Sequence, residues 1–320
     1  MDMRKNWYIY LGVLLILLFA FSYLYVTNFT FKLPPQEILR LRILRFVVTF
    51  VAGYVLAMSG ASLQTILQNP LADPYILGVS SGALLGIALS KIAGISFQYA
   101  FSIPAFLFSV IAIFFIYYLA RVRGSLVKEL LILGGLFLNF FFNGIVFYLL
   151  VLKREVLEEI LYILWGFTGV IVTEGELPLL GIALFLAMLI ASLPLLKMKE
   201  LDAITLGDHE ALSLGIDVNK IRNMVFFTTS ASTALIVSIT GAIGFIGLMI
   251  PNIIKKIIGG KHAVLLPVSG LGGALMLLVA DSVSKVVAPV ELPLSIILGI
   301  FAVPFFFWIV WRQRNEGNRG

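Results

Sequence analysis

Long apolar runs separated by short polar connections govern the chain. A helix needs about 20 apolar residues to cross the hydrocarbon of a bilayer. Runs of that kind fall near 7–27, 46–67, 75–93, 99–120 and 129–152, and again near 176–196, 223–242, 244–258, 263–286 and 293–311. The eighth is short and contains Pro251, so the pattern alone accommodates nine or ten crossings. The expected fold is all-α, a polytopic membrane bundle of about ten helices. Most connections are too short for a separate soluble domain, so residues 1–320 read as one transmembrane domain.

The first run follows Arg4 and Lys5, but its apolar core exceeds the central region of a signal peptide. It ends in aromatics without a small-residue cleavage site, which predicts a retained span. Composition agrees with a membrane chain, with 60% hydrophobic residues and only 12% charged. The mean hydropathy is +1.05, and a soluble domain this apolar could not cover its own surface. With ten crossings and a cytoplasmic N-terminus, most of the 23 Lys and Arg residues fall on the inner side. That bias accounts for the net charge of +6, and no nucleic-acid partner is implied.

One polar interruption carries a specific local signal. In SGASLQTILQNPLADPYILGVSSGALLG, residues 59–86, Asn69, Pro70, Asp73 and Pro74 make a tight turn between two apolar helices. Asp73 can accept from free helix N–H groups, and Pro74 at the first helical position has no N–H to orphan. Gly78, Gly82 and Gly86 then recur every fourth residue, a flat stripe along which another helix can approach backbone to backbone.

Polar side chains inside the runs are few. Asn139 and Asn143 stand four apart, hence on one face of the fifth span, which is expected to turn inward either as interhelical glue or as part of a pathway. Phe140, Phe141 and Phe142 fan around the same helix and cannot all line one pore. The hydroxyls between Thr228 and Thr240 can bond back to their own helix carbonyls, so they define no binding site. Asp281 and Lys285 are spaced to pair along one helix.

Arg40, Arg42 and Arg45 cluster outside the second span, against the positive-inside bias. The longest polar stretch runs from Lys197 to Arg222, and its TLGDHEALSLG core predicts a short helix capped at Asp208 and ended at Gly215. Ala211, Leu212 and Leu214 would form its apolar side, lying on the bilayer, on the bundle or on a partner. Absence of cysteine removes disulfides and thiolate metal sites. His209 and His262, in separate loops, are expected to be solvated and make a poor metal site. No cofactor is expected. There is no phosphate-binding G-x-x-x-x-G-K-[ST] loop, so an ATP-driven mechanism would need a partner subunit.

The arginine pair, the NPLADP turn with its LGVS helix, and the block from Gly241 to Phe307 that opens GAIGFIGLMIPNIIKK occur in an order that closely resembles the permeases of ABC importers for iron siderophores, haem and cobalamin. The resemblance implies a homodimeric permease in the cell membrane, with both termini cytoplasmic. It also implies two copies of an ATPase subunit, an extracytoplasmic binding protein, and surrounding lipid. Arg42 and Arg45, with Lys285 as a third charge, would dock the binding protein. Gly207, Asp208, His209, Glu210, Ala211, Leu212, Leu214 and Gly215 would couple to the ATPase. Asn139 and Asn143 would face the translocation pathway, and the chain itself would be no enzyme. Departures from the family pattern are Leu44 for the proline between the arginines, Asn252 for histidine, Lys255 or Lys256 for arginine, Lys285 for arginine and Ser295 for glycine.

Two other functions leave weaker marks on the sequence. An ion-coupled secondary transporter would place ionisable groups near the midplane, and Asp281 alone lies clearly within a span, towards its outer end. An intramembrane enzyme would need a motif such as HExxH or paired aspartates, which the sequence lacks.

Overall fold

The computed structural model describes residues 7–27, 33–94, 102–153, 164–170, 172–287 and 290–317. Its helices are α1 (Trp7–Thr27), α2 (Gln36–Ile66), α3 (Val79–Ile92), α4 (Ile103–Ala120), α5 (Lys128–Leu152) and α6 (Leu177–Ser192). After a 3-10 turn at Leu193–Lys197 come α7 (Met198–Leu206), α8 (Asp208–Ser213), α9 (Val218–Thr240), α10 (Ile246–Ile258), α11 (His262–Ser284) and α12 (Leu294–Gly317). A two-residue hairpin, β1 (Arg121–Val122) with β2 (Ser125–Leu126), joins α4 to α5. It was not anticipated from the apolar pattern, which has nothing to register in so short a ladder.

Among the described residues, seven helical segments are long and apolar enough to cross a membrane, counting Leu177–Leu206 as one. Helix α3 and Leu294–Phe305 are apolar but shorter. Helix α10, expected as the eighth crossing, has 13 residues. At 1.5 Å per residue that is about 20 Å, against roughly 30 Å of hydrocarbon. It is a short helix held inside the bundle.

Helix α2 is the axis of the fold, with 83% of its most apolar stretch buried. It begins at Gln36, ten residues before the expected start at 46, so all three arginines lie on its first turns rather than in a loop. Two glycine contacts set its neighbours. A Cβ at Gly53 would strike the Gly273 carbonyl of α11, and one at Gly60 would strike the Gly247 carbonyl of α10. Three helices thus touch through bare backbone, the arrangement small residues permit in membranes.

Helix α10 runs through Pro251. Proline has no N–H to give the carbonyl four residues back, here Gly247. The Gln64 side-chain amide of α2 replaces that donor, reaching Gly247 O and Leu248 O at 3.2 Å each. Thus the proline of one helix and the amide of another form a matched pair.

The NPLADP turn forms as anticipated, with one correction. Asn69 Oδ1 accepts from Leu71 N at 2.9 Å, and Asp73 Oδ1 accepts from Tyr75 N at 2.9 Å. Pro74 then starts a 3-10 turn that ends at Leu77, not a continuous helix. Gly78 has φ +72°, which bends the chain before α3 begins. Only Gly82 and Gly86 therefore form the flat stripe, lying against Phe108 O and Pro104 O of α4. Asn252 Nδ2 of α10 donates to Pro70 O at 2.7 Å and ties α10 to this turn. Ser295 has a comparable task at the opposite end, accepting from Gly244 N at 3.0 Å and donating to Ala242 O at 2.9 Å.

Candidate functional site

Polar chemistry concentrates at the two ends of α2. About 20 residues separate Arg45 from Thr65, or roughly 30 Å of helix.

At the Arg45 end the hub is Asp281, which is fully buried on α11. Arg45 Nη2 donates to Asp281 Oδ1 at 2.8 Å, Lys285 Nζ lies 2.7 Å from Oδ2, Tyr25 Oη donates to Oδ2 at 2.5 Å and Thr168 Oγ1 to Oδ1 at 2.7 Å. One carboxylate thereby joins α1, α2, α11 and the segment around Thr168. The Arg45 guanidinium also takes Glu291 in a two-pronged grip at 2.8 and 3.0 Å, and sits 5.2 Å from the Phe167 ring centre. Lys285 Nζ lies 4.4 Å from the Tyr25 ring centre.

The three expected docking charges are not equally available. The Asp281 to Lys285 pairing foreseen from their spacing is present, but Arg45 shares the same carboxylate, and Glu291 adds a second acid that sequence reasoning missed. Arg45 and Lys285 side chains are only 16% and 26% exposed. Two cations and two anions cancel, leaving Arg42 and its Nη1 bond to Val26 O at 3.0 Å. Arg40 pairs with Glu174 on the open surface, where such a bridge contributes about 0–1 kcal/mol.

At the other end, α8 forms where a short helix was expected, yet Asp208 does not cap it. Gly207 stands at the N-cap with φ +141°, a conformation that leaves Asp208 free to turn away. Its carboxylate receives Arg222 Nη2 at 2.9 and 3.1 Å and Gln68 Nε2 at 3.2 Å, with Lys128 Nζ also 3.2 Å away. Partial burial pushes the Asp208 carboxyl up, but Arg222 and Lys128 outweigh it and hold it below the ordinary carboxylate range. Arg222 itself is buried and donates to Leu126 O and, more distantly, Ile66 O. The sequence offered a signal for it, an arginine in the second turn of the helix capped by Asp217, which was read only as the end of the polar stretch.

Of the expected apolar side, Ala211 faces its own protein and is fully buried. Leu212 and Leu214 are 57% and 65% exposed, and Leu206 just before them is 72% exposed. His209, Glu210 and Gly215 are exposed as well. The segment is therefore a knob with an ionic back and a leucine front.

His262 departs from its expected solvation. It is 1% exposed, with Nδ1 2.6 Å from Asp202 Oδ1 and Nε2 2.7 Å from Thr65 Oγ1, and it links α11, α7 and α2.

A model of the FecCD transport family matches residues 8–312. The chain belongs to that family. It is 33% identical over 282 residues to a probable iron chelatin transport system permease protein of Helicobacter pylori, covering 87% of this chain and 83% of the relative. It is also 33% identical over 286 residues to the hemin transport system permease protein of Yersinia pestis, covering 87% and 84%. A metal-chelate type ABC transporter solved in an inward-facing conformation superposes with a TM-score of 0.81 at 27% identity, covering 96% of this chain and 99% of that one. The chain is thus a multi-pass transport permease of FecCD type.

In this FecCD chain, α5 divides its polar residues. Asn139 Nδ2 donates to Tyr75 O at 3.1 Å, tying α5 to the turn before α3. Asn143 is exposed and borders a cavity of about 160 Å³ shared with Ser80, Ser81 and Leu164. Phe142 is buried, whereas Phe140 and Phe141 are 76% and 62% exposed on the outer side of the helix.

Proposed function

We propose that this permease is the transmembrane subunit of a binding-protein-dependent ABC importer for a metal chelate. It works as a homodimer in the cytoplasmic membrane, with both termini inside and ATP hydrolysed by two copies of a partner subunit. Iron chelates, haem and cobalamin are the substrate classes the family resemblance suggests.

The observation that carries this reading is the α7–α8 knob. Leu206, Leu212 and Leu214 stand out from the bundle while Asp208, Arg222 and Lys128 brace the helix from behind. Exposed leucines backed by a rigid ionic scaffold suit insertion into a partner's groove, and motion imposed on the knob would pass through Arg222 to α2 and α9. On this reading Gly207 and Gly215 frame the knob, His209 and Glu210 rim it, and Ala211 seats it rather than docking. Asn143, with the exposed aromatics of α5, faces the pathway between two copies, and Asn139 holds that helix in place. Arg42 leads docking of the binding protein, with Arg45 and Lys285 positioned through Asp281.

The test is co-purification with the cognate ATPase subunit. Leu212→Asp with Leu214→Asp should abolish the complex while leaving the melting temperature of the permease unchanged. Retained complex would refute the assignment of α8.

A further inference from the structure

The turn between α10 and α11 lies at the knob end of the bundle, because Asp202 of α7 binds the first residue of α11. It reads Gly259-Gly260-Lys261 and is flanked by Lys255 and Lys256. A groove of about 770 Å³ opens beside it, lined by Trp7 of α1, Lys255, Ile258, Lys261 and Val264 among others. A second cavity of about 560 Å³ adjoins it and shares Lys255 and Gly260.

We propose that this groove binds the headgroup of an anionic phospholipid. Three observations point the same way. Lys255 and Lys261 are both exposed, and neither side chain makes an ion pair or hydrogen bond among the described residues. Asp202 of α7 turns its Oδ1 to the backbone and ring of His262, at 2.8 and 2.6 Å, and pairs with neither lysine. Two unneutralised lysines therefore face one opening, and the stem of Lys255 lies over Gly260, where a Cβ would sit 3.3 Å from Lys255 Cε.

The walls are those of a membrane interface rather than of a water-filled anion site. Trp7 is 40% exposed at the start of a helix whose apolar stretch is only 6% buried. Indole rings settle at headgroup depth, and the lipid-facing flank of α1 continues from the groove as a track for acyl chains. A headgroup phosphate at the lysines, with its glycerol against Trp7 and Val264, satisfies both the charge and the apolar wall. A lysine near an anionic headgroup contributes roughly five-fold in affinity.

The experiment is native mass spectrometry of the full chain in detergent, titrated with phosphatidylglycerol or with phosphatidylcholine of the same acyl chains. Wild type should hold phosphatidylglycerol about 25-fold more tightly, as two lysines at roughly five-fold each require. Lys255→Gln with Lys261→Gln should erase that preference without lowering the lipid-free melting temperature, and Lys255→Arg with Lys261→Arg should keep it. Inorganic phosphate should not displace the lipid. Equal binding of the two lipids by wild type, an unchanged preference in the Gln variant, or displacement by phosphate alone would each overturn the proposal. If the Gln variant keeps its lipid preference but, in a separate co-purification, loses the ATPase partner, the lysines belong to a protein contact and the lipid site is wrong. The lipid titration contains neither ATPase nor binding protein, so its outcome is separate from that of the transport reading.

Discussion

Arg45 and Asp281, 236 residues apart in sequence, meet at 2.8 Å inside the bundle. The pair closes α2 onto α11, and Glu291 grips the far side of the guanidinium. Taking charges out of water is costly, so such a pair persists only when its remaining bonding capacity is filled. Here Tyr25 and Thr168 fill it from the carboxylate side.

Asp281→Ala should therefore be among the most damaging single changes in the chain. It strands Arg45 and Lys285 without their shared anion and should cost about 3–5 kcal/mol, the usual penalty for breaking a buried pair from one side. Thermal unfolding in detergent measures it, and a loss under about 1 kcal/mol would mean the network is solvated.

The pairing of Gln64 with Pro251 gives a double-mutant cycle. Gln64→Ala should cost about 1–3 kcal/mol by leaving the Gly247 carbonyl unsatisfied. In a Pro251→Ala background the restored N–H bonds back to Gly247, so the same change should cost clearly less. Equal losses in both backgrounds would show that Gln64 acts only by packing.

Asp73 separates capping from charge. Burial pushes its carboxyl up to about 6, while the Tyr75 N–H pulls the other way. A carboxyl raised in the folded state favours folding below its unfolded value of about 3.9, and that contribution is lost as pH rises through about 6. Asp73→Asn keeps the cap without the charge and should flatten stability between pH 4 and pH 7 relative to wild type. Asp73→Ala loses the cap, about 0.5–2 kcal/mol, at every pH. A changed substrate profile with unaltered stability would move Asp73 from scaffold to pathway.

Docking of the binding protein should depend chiefly on Arg42. Arg42→Glu leaves the Asp281 network intact and should weaken affinity for the assembled transporter, most clearly at low salt, where screening is least. Reversing Arg45 would confound docking with the collapse of its buried pair. Unchanged affinity of Arg42→Glu across salt concentrations would leave Arg42 as an anchor for Val26 alone.

Much of the fold was legible because its signals are local. The Asp73 cap, the packing glycines and the Asp281–Lys285 spacing each involve residues within about one or two turns, where helix geometry fixes the relation. Arg45 with Glu291, Asp208 with Lys128, and His262 with Thr65 were not legible, since each joins elements brought together only by tertiary packing. Asp208 looked like a cap because acidic residues favour helix starts, yet two nearby cations outcompeted the free N–H groups. The start of α2 was missed because its charged first turns break the apolar run while continuing the helix. His262 was placed in water because it adjoins a polar loop, although it begins a buried helix.

On the proposed function, ATP hydrolysed by a partner drives import through the α7–α8 knob. The most direct measurement is metal-chelate accumulation in proteoliposomes holding the permease, its ATPase subunit and its binding protein. Uptake should require ATP and all three components, be indifferent to an imposed proton or sodium gradient, and disappear with Leu212→Asp and Leu214→Asp. Uptake by the permease alone, driven by an ion gradient without ATP, would contradict the proposed function.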